Sequence, residues 1–110
     1  MYAIVRNYSG VGAKQLFELL ERQSAEVEAT IRKVPGLVSY TLVHSDDGGM
    51  AITVCQDKAG AHESVKVARE WIKKNAANVP AYPPAIMEGS VIVQIRKRHS
   101  SLGGIGCGWK

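Results

Sequence analysis

Few residues of this 110-residue chain carry chemistry beyond packing. The three histidines, His44, His62 and His99, do not cluster, and their spacing fits no metal site. His44 falls at the end of an apolar segment just before a turn. His62 falls in the first turn of a predicted helix, where the positive helix N-terminus favours the neutral imidazole. Cys55 and Cys107 are too few for a disulfide framework or a metal cluster, and Cys55, closing an apolar run, reads as a small buried hydrophobe. Gly103-Gly104-Ile105-Gly106 has no strand before it and no helix after it, so it is a poor phosphate loop. Two residues stand out by position. Asn7 closes the apolar run from Tyr2, where its amide can either bond the adjoining loop or hold a substrate carbonyl. Trp71 stands beside the apolar stripe of a helix, as core or as the wall of a pocket.

The elements that must position these residues follow from periodicity. Tyr2–Asn7 (YAIVRN) is short, β-branched and followed by Ser9-Gly10, which predicts a strand. Leu16, Leu20, Val27, Ile31 and Val34 fall at helical spacings, widened by Phe17, Leu19 and Ser24. They predict one helix of about 20 residues, roughly 30 Å long. Ser9 or Gly12 supplies its start, Arg32 and Lys33 suit its C-terminal dipole, and Pro35-Gly36 ends it. Leu37–His44 and Met50–Cys55 predict two strands joined through 45–49 (SDDGG) as an antiparallel hairpin. Asp57 caps a second helix, whose stripe is Ala61, Val65, Ala68 and Ile72, with Val67 and Trp71 beside it. Three prolines stiffen the loop 78–84, and Ser90–Ile95 (SVIVQI) predicts the fourth strand. The order β-α-β-β-α-β, with right-handed crossovers, folds most economically as an α+β ferredoxin-like sandwich: a four-stranded antiparallel sheet with both helices on one face. Residues 1–95 form this domain and residues 96–110 a basic, glycine-rich tail.

Two helices cover one face of such a sheet, and neither face of these strands reads as solvated, because charged residues are nearly absent from both. A sheet with one wet face alternates apolar and polar residues. A bare apolar face is an association site, so a homodimer through the sheet face is expected, burying the same patch on both subunits. Residue number parity leaves open which set faces the partner. With the bulky set outward, small residues under the helices leave a ligand cavity; with the bulky set inward, no cavity is expected.

Composition narrows the class. The chain is 45% hydrophobic and 22% charged, which is globular and ordered. Its net charge is +4, yet residues 1–95 hold ten basic and ten acidic side chains, so the excess lies in the tail around Arg96-Lys97-Arg98. A neutral body argues against nucleic acid as a partner, since phosphate recognition needs a basic face. Without an apolar run of membrane-spanning length or a signal-peptide pattern, no membrane association and a cytoplasmic location are expected.

The segment Val34-Pro35-Gly36-Leu37-Val38-Ser39-Tyr40-Thr41-Leu42 resembles the helix, Pro-Gly, strand junction of the antibiotic biosynthesis monooxygenase family. Met50–Asp57, followed by Gly60, Glu63, Ser64 and the helix to Trp71, is similar to that family's third strand and second helix. The resemblance spans about residues 1–95. It implies a dimeric α/β barrel of ferredoxin-like subunits. It also implies a cofactor-independent monooxygenase acting on a small aromatic or quinone-like substrate, or a non-catalytic ligand-binding or interaction module of the same fold. Haem-degrading relatives use an Asn late in the first strand, a Trp in the second helix and a His beyond it. Asn7 and Trp71 match the first two, but no His follows Trp71 in 72–78 (IKKNAAN), so haem breakdown is not expected. No cofactor and no metal are expected. A cofactor-free oxygenase needs a dry pocket and a few polar groups to hold its substrate and steer deprotonation. The candidates are Asn7 and Trp71 as catalytic residues, with Tyr40, Thr41 and His44 binding the substrate. This reading requires Asn7 and Trp71 to line one cavity beneath the helices.

Overall fold

A computed structural model describes residues 1–97. The elements run β1 (Tyr2–Tyr8), α1 (Ala13–Arg22), α2 (Ser24–Ile31), β2 (Leu37–Ser45), β3 (Gly48–Cys55), α3 (Lys58–Asn75) and β4 (Ala85–Ser90). The strands form one antiparallel sheet in the order β2-β3-β1-β4, and the helices pack on one of its faces. This is the expected α+β ferredoxin-like arrangement. No described helix is long and apolar enough to cross a membrane.

Two boundaries differ from the sequence reading. The first helical stretch is two helices, because Gln23 leaves helical geometry (φ −110°, ψ 30°). Ser24, which follows it, is a poor mid-helix residue because its hydroxyl competes for nearby backbone groups. The stripe survives the break: Leu16, Phe17 and Leu20 of α1 and Val27 and Ile31 of α2 are all buried. At the start of α1, Gly12 holds a left-handed φ of 81°, and a Cβ there would stand 2.0 Å from the Pro80 carbonyl oxygen. Only glycine meets both conditions.

The second difference is β4, expected at 90–95 and found at Ala85–Ser90. It pairs with β1 from Ala85 opposite Asn7 to Ser90 opposite Tyr2. There β1 runs out, and one further bond follows, from the Val91 N–H to the Met1 carbonyl. The β-branched run beyond it therefore has strand propensity but no strand to pair with, and propensity alone does not place a ladder. Ile92, Val93 and Ile95 stand 92%, 71% and 86% exposed. Of the expected tail, Arg96 and Lys97 have no regular structure, while 98–110, with His99, Cys107 and Trp109, lies outside the described residues.

Strand register decides what lies under the helices. Tyr2, Ile4, Arg6 and Tyr8 of β1 sit opposite Cys55, Thr53, Ala51 and Gly49 of β3. Tyr40, Leu42 and His44 of β2 sit opposite Thr53, Ala51 and Gly49. The inward face thus combines bulky residues of β1 and β2 with small ones of β3, a pairing that grouping by even and odd numbers splits apart. The core forms around Tyr8, Leu16, Phe17, Leu20, Ile31 and Trp71, with a smaller cluster of Ile4, Val34, Cys55 and Ala61 at the other end. On α3 the buried stripe is Ala61, Ser64, Ala68 and Trp71. Three small side chains bring the helix close to the sheet before Trp71 fills the space. Asp57 caps α3 as expected, its carboxylate accepting from the Gly60 N–H at 2.8 Å.

Candidate active site

The inward side chains of the central strands converge on Arg6. Although β1 is otherwise apolar, alternation puts Arg6 on the same face as Ile4 and Tyr8, and it is 2% exposed. Its guanidinium donates to the Tyr8 hydroxyl at 2.7 Å and to the Tyr40 hydroxyl at 3.1 Å. No carboxylate pairs with it among the described residues, and its Nε–H has no partner. A buried cation held only by neutral hydroxyls is costly to the fold, since burial of charge is ordinarily offset by an opposite charge.

Around Arg6 lies an apolar cavity walled by Tyr8, Phe17, Tyr40 and Trp71, with aliphatic side chains of α1, α2 and α3. Its free space is about 20 Å³, roughly room for one water. It shares walls with two larger hollows. Val27, Ile31, Tyr40 and Leu42 also line a groove of about 470 Å³ between α2 and β2. Arg6, Tyr8 and Ile72 also line a cleft of about 400 Å³ between α3 and the segment 81–84. A cavity forms even though bulky residues lie beneath the helices, because Ala51 of β3 and Ala68 of α3 leave the space that Arg6 reaches into.

The polar groups of this cavity are nearly all donors. Trp71 is 8% exposed, and its indole N–H has no partner. The Tyr8 and Tyr40 oxygens accept from Arg6, which leaves their own O–H groups free to donate. Burial pushes the Tyr40 phenol up, more than the neighbouring Arg6 draws it down, so it stays protonated at neutral pH. No carboxylate or imidazole lines the cavity. Such a lining suits an electron-rich oxygen, a carbonyl or an oxyanion, beside an aromatic ring. Thr53, between Ile4 and Tyr40 on the neighbouring strands, holds a further buried hydroxyl without a partner.

The expected residues divide between two faces. Trp71 and Tyr40 line the cavity. His44 shares their face, but Phe17 stands beside it (ring centroids 6.2 Å apart), and its Nδ1 lies 2.6 Å from a Glu21 carboxylate oxygen at the surface. Asn7 and Thr41 are exposed and lie on the opposite face, because each is one residue out of phase with a cavity residue, Arg6 or Tyr40. Asn7 pairs with Met50 and Thr41 with Ile52. The sheet itself separates Asn7 from Trp71, so the two do not line one cavity; the requirement set for an oxygenase built on that pair is not met, and any such reading has to stand on Arg6 and Tyr40 instead. Arg6 and Tyr8 are the residues sequence reasoning missed. The signal was present: Arg6 is the one charge in an apolar strand, two positions from Ile4 and two from Tyr8.

No protein-family model and no curated protein matches the sequence. Solved structures do. A protein of unknown function from Nitrosomonas europaea, NE2512, aligns with a TM-score of 0.65 at 16% identity, over 88% of this chain and 93% of its own. A monooxygenase from the ActVA-Orf6 gene of Streptomyces coelicolor, in complex with nanaomycin D, aligns at 0.56 and 19% identity, over 88% and 91%. The haem degrader MhuD from Mycobacterium tuberculosis, with two haems bound, aligns at 0.59 and 17%, over 86% and 98%. The likeness is one of fold: the chain has the architecture of the antibiotic biosynthesis monooxygenase-like proteins.

Proposed function

We propose that the chain is a cofactor-independent monooxygenase-like protein that takes a small aromatic or quinone-like substrate between sheet and helices, with its oxygen in the small cavity at Arg6, Tyr40 and Trp71 and its ring in a larger hollow beside it. The observation that carries this reading is the buried guanidinium without a carboxylate, in an aromatic-walled cavity whose other polar groups donate. Arg6 and the Tyr40 hydroxyl hold the substrate oxygen as it becomes an enolate or phenolate, and the unpartnered Trp71 indole N–H is a third donor to it. An aromatic anion stabilised in this way is electron-rich enough to react with oxygen directly. The residues lower the cost of the anion; the proton leaves to water. The shared fold with a monooxygenase supports the reading, though fold does not by itself carry function. Two copies close sheet against sheet over the face that holds Asn7, Thr41, Val43, Ile52 and Met87, which places Asn7 and Thr41 at the subunit contact.

The test is oxygen uptake with a panel of dihydroxynaphthalenes and anthrones. The wild type consumes oxygen, and Arg6→Met and Trp71→Phe lower kcat/KM, the former by about a hundredfold if Arg6 acts as an oxyanion donor. One feature favours a second reading, a non-catalytic small-ligand module: the cavity has no acid–base pair. Uptake no faster than in buffer, with a panel compound bound, establishes that reading instead.

A further inference from the structure

The cleft between α3 and the proline segment 81–84 differs from the other hollows in its charge. Arg6 forms part of its inner wall, Arg69 of α3 contributes a second guanidinium, and its lining contains no carboxylate. The remaining walls are apolar or aromatic, with Val65 and Ile72 of α3, Ile86 of β4, and Tyr82, which is 62% exposed. About 400 Å³ lies within the range of small-ligand sites, roughly 300–1,000 Å³. Glu88, a nearby acid in the adjoining groove that Arg69 also lines, is engaged by His62 at 2.7 Å and by the Tyr2 hydroxyl at 2.7 Å.

We propose that this cleft is a binding site for aromatic acids, in which Arg69 at the rim and the buried, partly unpaired Arg6 hold a carboxylate or equivalent oxyanion while the ring lies along Tyr82, Val65 and Ile72. The inference rests on the reading that this side of the sheet receives a small aromatic molecule, and it assigns that molecule an acidic group and a door. Arg6 is the strongest single indication. A guanidinium this deep, with a free N–H and no counter-charge among the described residues, is completed by an anion entering from the cleft that it lines. A positive charge at the rim with a second on the inner wall also raises the local concentration of anionic ligands, an effect that weakens with salt.

Binding is measured by calorimetry under argon with 2-naphthoate and its neutral counterpart 2-naphthamide, so that no turnover is needed. Naphthoate binds more tightly than the amide by about tenfold or more, as expected for charge-assisted bonds to a guanidinium, and its affinity falls as salt rises. Arg69→Gln, at an exposed helix position, removes most of the preference for the acid by weakening naphthoate far more than the amide. Arg6→Gln removes that preference more strongly and weakens the amide as well, because its guanidinium also donates to a carbonyl oxygen. Equal affinities for acid and amide, failure of both at millimolar concentration, or an acid preference that survives Arg69→Gln and Arg6→Gln each overturn the proposal. An acid preference in a protein that consumes no oxygen leaves this site standing and removes only the oxygenase.

Discussion

Arg6 poses an energetic conflict whose resolution is testable. Its charge is desolvated without an ion-pair partner, so an apolar side chain of similar length relieves that penalty. Losing its bonds to Tyr8 and Tyr40 costs about 1 kcal/mol each. The two effects oppose each other, so Arg6→Met keeps a thermal midpoint within about 5 °C of wild type, or raises it, while ligand affinity falls. A drop of well over 10 °C in a melting experiment identifies Arg6 as structural instead. At the surface, bonds from His62 and then Tyr2 hold the Glu88 carboxyl below its ordinary value of 4.5. A carboxylate with a depressed pKa adds stability that is present above its unfolded pKa and is lost as pH falls through its folded pKa. The melting-point advantage of wild type over Glu88→Gln is therefore small, greatest above pH 4.5, and shrinks on acidification; a gap that stays constant on acidification contradicts the pairing. The site was partly legible at this scale. Trp71 and Tyr40 announced themselves by type, whereas Arg6 was visible only to a reader who already knew that Ile4 and Tyr8 face inward. His44 looked available in the sequence because nothing there revealed Glu21 and Phe17 as its neighbours.

The elements were legible wherever local chemistry decides them. The Pro35-Gly36 stop, the Asp57 cap and the hairpin through 45–49 all act within a few residues, and each is found near its expected place. The break at Gln23 and the position of β4 depend on tertiary partners, which periodicity does not report. Register is the clearest case. Counting odd and even numbers across separate strands assumes they pair in phase, but Arg6 pairs with Ala51 and Tyr40 with Thr53. The small residues of β3 therefore sit among the large ones of β1 and β2. Gly49 shows how tightly that packing is set. It lies on β3 under α1, where a Cβ would stand 2.3 Å from the Phe17 ring and 2.5 Å from the Val43 carbonyl oxygen. Gly49→Ala must push α1 off the sheet or turn Phe17 out of its rotamer. Such overpacking costs about 1–3 kcal/mol, and because Phe17 also walls the cavity, ligand affinity falls with stability in calorimetry and denaturant titration. An alanine variant as stable as wild type, with unchanged affinity, refutes the claim that this contact fixes the wall.

On the scale of the whole molecule, the sheet face that none of the described helices covers decides whether the chain works alone. Four strands about 4.8 Å apart and about seven residues long present a projected face of roughly 450 Å². A stable interface takes about 800 Å² from each partner, so the sheet face alone falls short. The apolar residues just beyond β4 offer more: Ile92 and Ile95 are almost fully exposed, and Val93 and Met87 largely so. Closing both surfaces against a second copy brings the area into the required range and removes apolar patches that a single subunit leaves wet. Wild-type protein at micromolar concentration therefore sediments at about twice the 11.9 kDa chain mass. Ile52 lies at the middle of that face, on a central strand between Val5 and Thr41. Ile52→Lys places a charge there without touching the core under the helices. It yields a monomer with an unchanged far-ultraviolet circular dichroism spectrum, whereas truncation after Ser90 weakens the dimer without dissolving the sheet. A wild type that sediments as one subunit at that concentration, or an Ile52→Lys protein that remains dimeric, shows that the sheet faces do not meet.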